Sequence, residues 1–64
     1  RMFTVLNHYT GEELFAAPSR AECEGWILGE AQRCNCGIYR CWRDLELNTV
    51  IYDVGWTVCY IAEK

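Results

Sequence analysis

Pro18-Ser19-Arg20-Ala21-Glu22-Cys23-Glu24-Gly25-Trp26-Ile27-Leu28-Gly29-Glu30-Ala31-Gln32-Arg33-Cys34 decides the fold, because it is the one stretch with a helical period in a chain that otherwise reads as strand. Pro18 stops what precedes it. The Ser19 side chain is placed to accept from the free amides of a first turn, and Glu22 three residues on completes an S-x-x-E capping box. Cys23, Ile27, Ala31 and Cys34 then recur at i, i+4, i+8 and i+11 with Trp26 beside them, so one stripe faces a core. Gly25 and Gly29 fall on the other side, and each weakens the helix by up to about 1 kcal/mol relative to alanine, unless the missing side chain admits another backbone. Asn35 and Gly37 are the candidates for the left-handed residue that ends the helix.

Working outward, Met2-Phe3-Thr4-Val5-Leu6-Asn7-His8 is rich in β-branched and aromatic residues. Tyr9-Thr10-Gly11-Glu12 supplies a turn with its glycine, and Glu13-Leu14-Phe15-Ala16-Ala17 returns as the second arm of a hairpin. Beyond Gly37 the period changes from helical to alternating. Residues 38–43, 49–54 and 56–61 read as three strands, separated near 44–48 and at Gly55. Short connections between consecutive strands predict an antiparallel meander. The expectation is one α+β domain over residues 1–64, a single antiparallel sheet of four to five strands with one helix packed on a face, in the order β-β-α-β-β-β. The lower strand count applies if Gly55 is a bulge within a longer strand.

A sheet covered by one helix and otherwise in water alternates cleanly between apolar and polar side chains. This sequence does not. Trp56, Val58 and Tyr60 are expected on one face of the last strand and Cys59 and Ile61 on the other, while Phe3 and Val5 oppose Met2 and Leu6 in the first. One helix of about three to four turns covers one face only. A second copy of the chain is the leading candidate for covering the other, since symmetric homo-oligomers dominate soluble assemblies. The target of the protein is a further candidate, and local curling of the strands is the alternative to both.

The composition sharpens the need for cover. The 64 residues are 52% hydrophobic, with three Trp, four Tyr and two Phe, yet a chain of about 60 residues buries only about 60% of the surface its unfolded form exposes. No run of about 20 apolar residues is present, so a membrane span is not expected, nor does the start resemble a secretory leader. Met2 reads as the natural start, with Arg1 a remnant ahead of it. Five cysteines are an odd number for a disulfide framework, and Cys34 and Cys36 are too close to bridge each other. A zinc site would draw on Cys34, Cys36 and Cys41 with His8, Cys23 or Cys59 as fourth ligand, but no C-x2-C knuckle is present. The expectation is no cofactor and thiols that serve as small buried hydrophobes in a reducing cytoplasm.

Charge narrows the partners. The net charge is −3, which disfavours nonspecific nucleic-acid binding, where affinity rests on phosphate neutralisation. Glu12, Glu13, Glu22, Glu24 and Glu30 make the hairpin and helix acidic, while Arg33, Arg40 and Arg43 gather between the helix end and the third strand. Arg40 and Trp42 share a strand face with Arg43 next to them, offering guanidinium and aromatic plane together. Arg40, Trp42, Arg43, Tyr52, Trp56 and Tyr60 are the candidate binding residues, able to clamp a phosphate, stack on a base or fill a partner's pocket. The plainer reading pairs the arginines with Asp44, Glu46 and Asp53 and places the tryptophans in the core. For catalysis the sequence offers one histidine, His8, at a strand end, and no G-x-S-x-G, phosphate loop or H-E-x-x-H motif. The chain is therefore read as a non-enzyme.

The stretch from Phe3 to Trp26, with its strand, Thr10-Gly11-Glu12 turn, Leu14-Phe15 return and Ser19-x-x-Glu22-Cys23-x-x-Trp26 helix start, resembles small accessory proteins encoded by bacteriophages. That resemblance covers about a third of the chain. It implies a compact, acidic, non-enzymatic inhibitor acting in the cytoplasm of a bacterial host, on a host protein or defence complex, as anti-CRISPR proteins do. It also implies a second possibility, an oligomeric sponge for a nucleotide immune signal, with Arg40, Arg43 and Trp42 around phosphates and base. A small zinc-binding regulator built on the cysteines is the third.

Overall fold

The structure, a computed structural model, describes residues 1–36 and 39–64. Its elements run β1 (Phe3–Asn7), β2 (Glu13–Ala17), α1 (Arg20–Asn35), β3 (Arg40–Asp44), β4 (Thr49–Asp53) and β5 (Val58–Glu63). The strands form one five-stranded sheet in the order β2-β1-β5-β4-β3, antiparallel throughout. This is the α+β architecture expected, and the meander β3-β4-β5 is part of it. The sheet joins that meander to the hairpin through β1 and β5, the first and last strands in sequence. Among the described residues no helix is long and apolar enough to cross a membrane.

Each turn is closed by the residues that need to be there. Gly11 takes a positive φ of 77°, while the Asn7 side chain accepts from the amides of Tyr9 and Thr10 and its carbonyl from that of Gly11. Asp44 Oδ1 accepts from the amides of Glu46 and Leu47, and Asn48 adopts the left-handed conformation that asparagine tolerates. Gly55, at φ 107°, is a turn residue and not a bulge; its amide donates to Asp53 Oδ1 and the Val54 amide to the Thr57 carbonyl. That turn holds Trp56 outside the sheet, so β5 begins at Val58, two residues later than expected. A real bulge occurs elsewhere: Val5 pairs with Phe15 but Leu6 with Glu13. Leu14 is the extra residue, and both it and Phe15 pack on the core.

The capping box forms: Ser19 Oγ accepts from the Glu22 amide at 3.2 Å and donates to Glu22 Oε2 at 2.8 Å. At the other end Cys36 supplies the left-handed residue, at φ 55°, and its amide donates to the Ala31 carbonyl. Asn35 remains helical; Gly37, the other candidate, and Ile38, expected to open the third strand, lie outside the described residues. Helix α1 lies across β2, β1 and β5. Cys23, Ile27 and Ala31 sink into a core with Val5, Ala17, Val54, Cys59 and Ile61. Two ring contacts pin the helix at its flank: Trp26 stacks on Phe15 at 5.6 Å and 12°, and the Arg20 guanidinium sits 5.5 Å from the centre of Phe3. Cys34 extends the stripe in sequence but is exposed, lying beside the Gly55 turn and not over the strands' core.

The far face is less bare than its sequence suggests. In-register neighbours Leu6, Tyr60, Ile51 and Trp42 make one row across β1, β5, β4 and β3. Ile51 in its middle is 0% exposed, and Val58 and Thr4 on the same face are buried as well. Large cross-strand neighbours thus screen the centre of this face without a second layer. At its β2 end Thr4 Oγ1 donates to Glu13 Oε1 at 2.9 Å, and the same oxygen pairs with Lys64 at 2.8 Å.

These backbone assignments give opposite signs to three glycine-to-alanine changes. A Cβ at Gly25 or Gly29 meets nothing within 4 Å, so Gly25→Ala and Gly29→Ala are each expected to stabilise by about 0.5–1 kcal/mol. Gly55→Ala is expected to cost about 1–2 kcal/mol, since its Cβ has room but its φ does not suit an L-residue. Urea denaturation of the three variants measures all three signs. Acid supplies a further test. Its hydrogen bond to Lys64, that to Thr4 and the Lys64 charge hold the Glu13 carboxyl below its ordinary value of 4.5. The stability it contributes is complete above that value and is lost as pH falls through the lower folded one. Between neutral pH and pH values below 4.5, the melting temperature of the wild type should fall further than that of Glu13→Gln.

Candidate functional site

Strand alternation and the turns sort the six candidate binding residues into three places. Arg40 and Trp42 lie on the face away from the helix, in register with Asp53 and Ile51, and Tyr60 shares that face beyond Ile51. Arg43 and Tyr52 lie on the helix side, Arg43 opposite Val50 and Tyr52 opposite Cys59. A ligand on the Trp42 face therefore meets Arg40, and Arg43 belongs to the other surface. Trp56 joins neither group: its indole N–H donates to Glu30 Oε1 at 3.0 Å, tying the β4–β5 turn to the helix. The expectation that Trp56 shares a strand face with Val58 and Tyr60 is thereby corrected.

The arginines do not form one cluster. Arg33 pairs with Glu30 on its own helix, a contact that, with the Trp56 bond, holds the Glu30 carboxyl below its ordinary range despite some desolvation. Arg40 sits 3.8 Å from Asp53, both of them solvated, and Arg43 donates to Asn48 Oδ1 at 2.8 Å. These contacts leave the Arg40 side chain 84% exposed. Surface pairs of this kind contribute little to stability.

Helix α1 contacts β2, β1 and β5, so the β3–β4 hairpin stands beyond it. On this hairpin Trp42 is 43% exposed, Leu47 46% and Leu45 85%. Leu45 and Leu47 were not among the sequence candidates, because a stretch with Asp44, Glu46 and Asn48 reads as a polar connection. The signal available was the apolar–acidic alternation Leu45-Glu46-Leu47. The tip is rigid at its base, where Asp44 and Asn48 close the loop by side-chain bonds. His8, which the sequence offers for catalysis or as a fourth zinc ligand, joins no metal-holding cluster among the described residues. It lies against Tyr60 with ring centres 6.1 Å apart, edge to face, and extends the aromatic row of the far face toward the β1–β2 turn. Tyr52 packs beside Tyr39 at 6.1 Å, and burial raises its hydroxyl pKa.

The thiols divide. Cys23 and Cys59 are buried core residues as expected, while Cys34, Cys36 and Cys41 are exposed. Burial raises the Cys23 pKa and pushes that of Cys59 up to about 11. Among the described residues no three His, Cys, Asp or Glu side chains are grouped so as to hold a metal ion, and no pocket opens in the surface. Native protein should therefore react with an aromatic disulfide reagent at Cys34, Cys36 and Cys41, whereas Cys23 and Cys59 should react only on unfolding. Peptide mapping after timed labelling checks this; early labelling of Cys59 would contradict the packing of Ile27 and Ile61 around it.

Comparison with known proteins finds no matching family model, no matching curated protein and no matching solved structure.

Proposed function

We propose that this chain is a non-enzymatic binding protein of the phage accessory type, which inhibits a bacterial host or defence component by occupying a protein surface. The observation that carries the reading is the β3–β4 hairpin, where Trp42, Leu45 and Leu47 are exposed and Arg40 shares the face of Trp42, with Arg43 on the opposite face. Tryptophan and arginine are the residues most often found to dominate binding energy at protein interfaces. Exposing Leu45 almost completely costs the free protein its burial energy, about 1.5–3 kcal/mol for a leucine, which a partner's cavity would restore. The loop is already ordered by Asp44 and Asn48, so little conformational entropy would be lost on docking. The tip is apolar at Leu45 and Leu47 with Glu46 between them, and both signs of charge flank it, Arg40 and Arg43 with Asp44 and Asp53, suiting a partner with an apolar cleft and a mixed polar margin.

The test is capture from bacterial lysate with wild-type protein and with Trp42→Ala/Leu45→Ala as matched baits. A host protein retained by the wild type and lost by the double variant, whose circular dichroism is unchanged, is the expected result. A host protein retained equally by both baits would place the binding surface elsewhere.

A further inference from the structure

The outer strand of the hairpin has a second property, carried by its backbone and charge order. Among the described residues β3 pairs with β4 alone, so its other edge presents unpaired amides and carbonyls. Proteins blunt such edges with charges that repel a second copy, with proline, or with a covering element. The charges of Arg40-Cys41-Trp42-Arg43-Asp44 do the reverse. Laid antiparallel to itself about Trp42, this strand sets Arg40 opposite the partner's Asp44 and Asp44 opposite the partner's Arg40. Trp42 faces the partner's Trp42, and Cys41 faces the partner's Arg43.

We propose that two copies of this chain associate edge to edge through β3, in antiparallel register centred on Trp42, to form one continuous ten-stranded sheet. The register is selected by charge. Moving the centre to Arg43 sets that residue against the partner's Arg43, and moving it to Cys41 removes both ion pairs. Centring on Trp42 pairs all five strand residues and gains two opposite-charge pairs. The groups are available: Asp44 uses Oδ1 for its loop, which leaves Oδ2 for an incoming guanidinium, and among the described residues Arg40 has a long contact to Asp53 with its side chain 84% exposed. The other edge strand, β2, has no such match. Its one charge, Glu13, would face the partner's Ala17 about Phe15, and that carboxylate is already bound to Thr4 and Lys64. Pairing β3 with β3 is isologous and closes at two copies, whereas β3 with β2 would propagate into a filament. This assembly stands without the binding reading above, because strand addition uses the edge and leaves side chains on both faces outward.

Sedimentation equilibrium of the purified chain should give a dimer in the micromolar range. Arg40→Asp places like carboxylates opposite each other at both ends and should weaken it about 100-fold. Asp44→Arg should do the same, and an equimolar mixture of the two variants should recover a heterodimer. Asp44→Asn keeps the loop acceptor while removing the charge, so it tests the pair even if Asp44→Arg fails to fold; about tenfold weakening is expected. A wild type that stays monomeric at high micromolar concentration overturns the proposal. So does a dimer whose dissociation constant is unchanged in Arg40→Asp and Asp44→Asn. Neither readout involves a host protein, so failure here is separable from failure of the capture experiment.

Discussion

The pairing of β1 with β5 is the constraint on which the rest depends. It joins the first strand to the last across nearly the whole chain, and without it the structure would be a hairpin with a helix and a separate three-stranded meander. Neither piece has a core of its own. Val5 opposite Ile61 and Asn7 opposite Cys59 set the floor on which Cys23, Ile27 and Ala31 rest. A contact of such sequence separation is costly in loop-closure entropy, and the intervening elements offset that cost locally. The β1–β2 hairpin and the capped helix form from neighbours, so the final pairing brings two partly organised halves together.

That pairing also explains the asymmetry of the molecule. One helix of 16 residues is placed over the seam it must seal, where the hairpin meets the meander. On the β4 side the same core is met by Tyr52 and Tyr39, and the outer strand β3 is left open. The near half, β2-β1-β5 with α1, has two layers; the far half is a twisted hairpin with side chains on both surfaces. Burial falls off at the outer strand: β5 has three buried residues of six and β4 has no exposed residue, whereas four of the five residues of β3 are exposed. The apolar far face reconciles itself with water by lateral screening, Ile51 lying between Trp42 and Tyr60 in register. Wide aromatic neighbours on adjacent strands can bury a branched residue between them where a second sheet or helix would otherwise be needed.

Local signals made much of this legible in the sequence. The Ser19–Glu22 box, the Cys23-Ile27-Ala31 stripe, the Gly11 turn and the return from Glu13 to Ala17 are decided by residues within a few positions of one another, and they stand where the sequence puts them. What was not legible depended on distant parts of the chain. Alternation tells which side chains share a face, but not that β1 lies beside β5, nor that Cys34 at the end of the helical stripe is left exposed beside the Gly55 turn. Trp56 reads as strand from its aromatic character; Gly55 at positive φ and Glu30, 26 residues away, decide that it is a turn residue fixed to the helix. Of the candidate site, alternation within β3 puts Arg40 and Trp42 on one face; that Tyr60 shares it follows from the β3–β4–β5 register, which is not local. Arg43 was adjacent in sequence and opposite in space. Leu45 and Leu47 were hidden by the acidic and amide residues between them, which serve the loop's own hydrogen bonds.

The two halves differ in what their residues are free to do. In the near half many aromatic and charged groups hold one another, Trp26 with Phe15, Arg20 with Phe3, Trp56 and Arg33 with Glu30, Glu13 with Lys64 and Thr4, while Tyr9 and Leu28 stay exposed. In the far half Arg40 has a long, solvated partner, while Trp42, Leu45 and Leu47 are exposed. A chain this short gains little stability from leaving large apolar groups in water, so their exposure is best accounted for by association. Edge addition through β3 would use the strand backbone with the Arg40 and Asp44 side chains, and docking would use the hairpin tip, where Leu45 and Leu47 stay outside the paired strand. Joining two β3 strands would bring the two Trp42 rows into one surface, and would present two leucine-bearing tips related by a twofold axis. A symmetric or repetitive partner would then bind the dimer with an avidity that a single tip cannot reach.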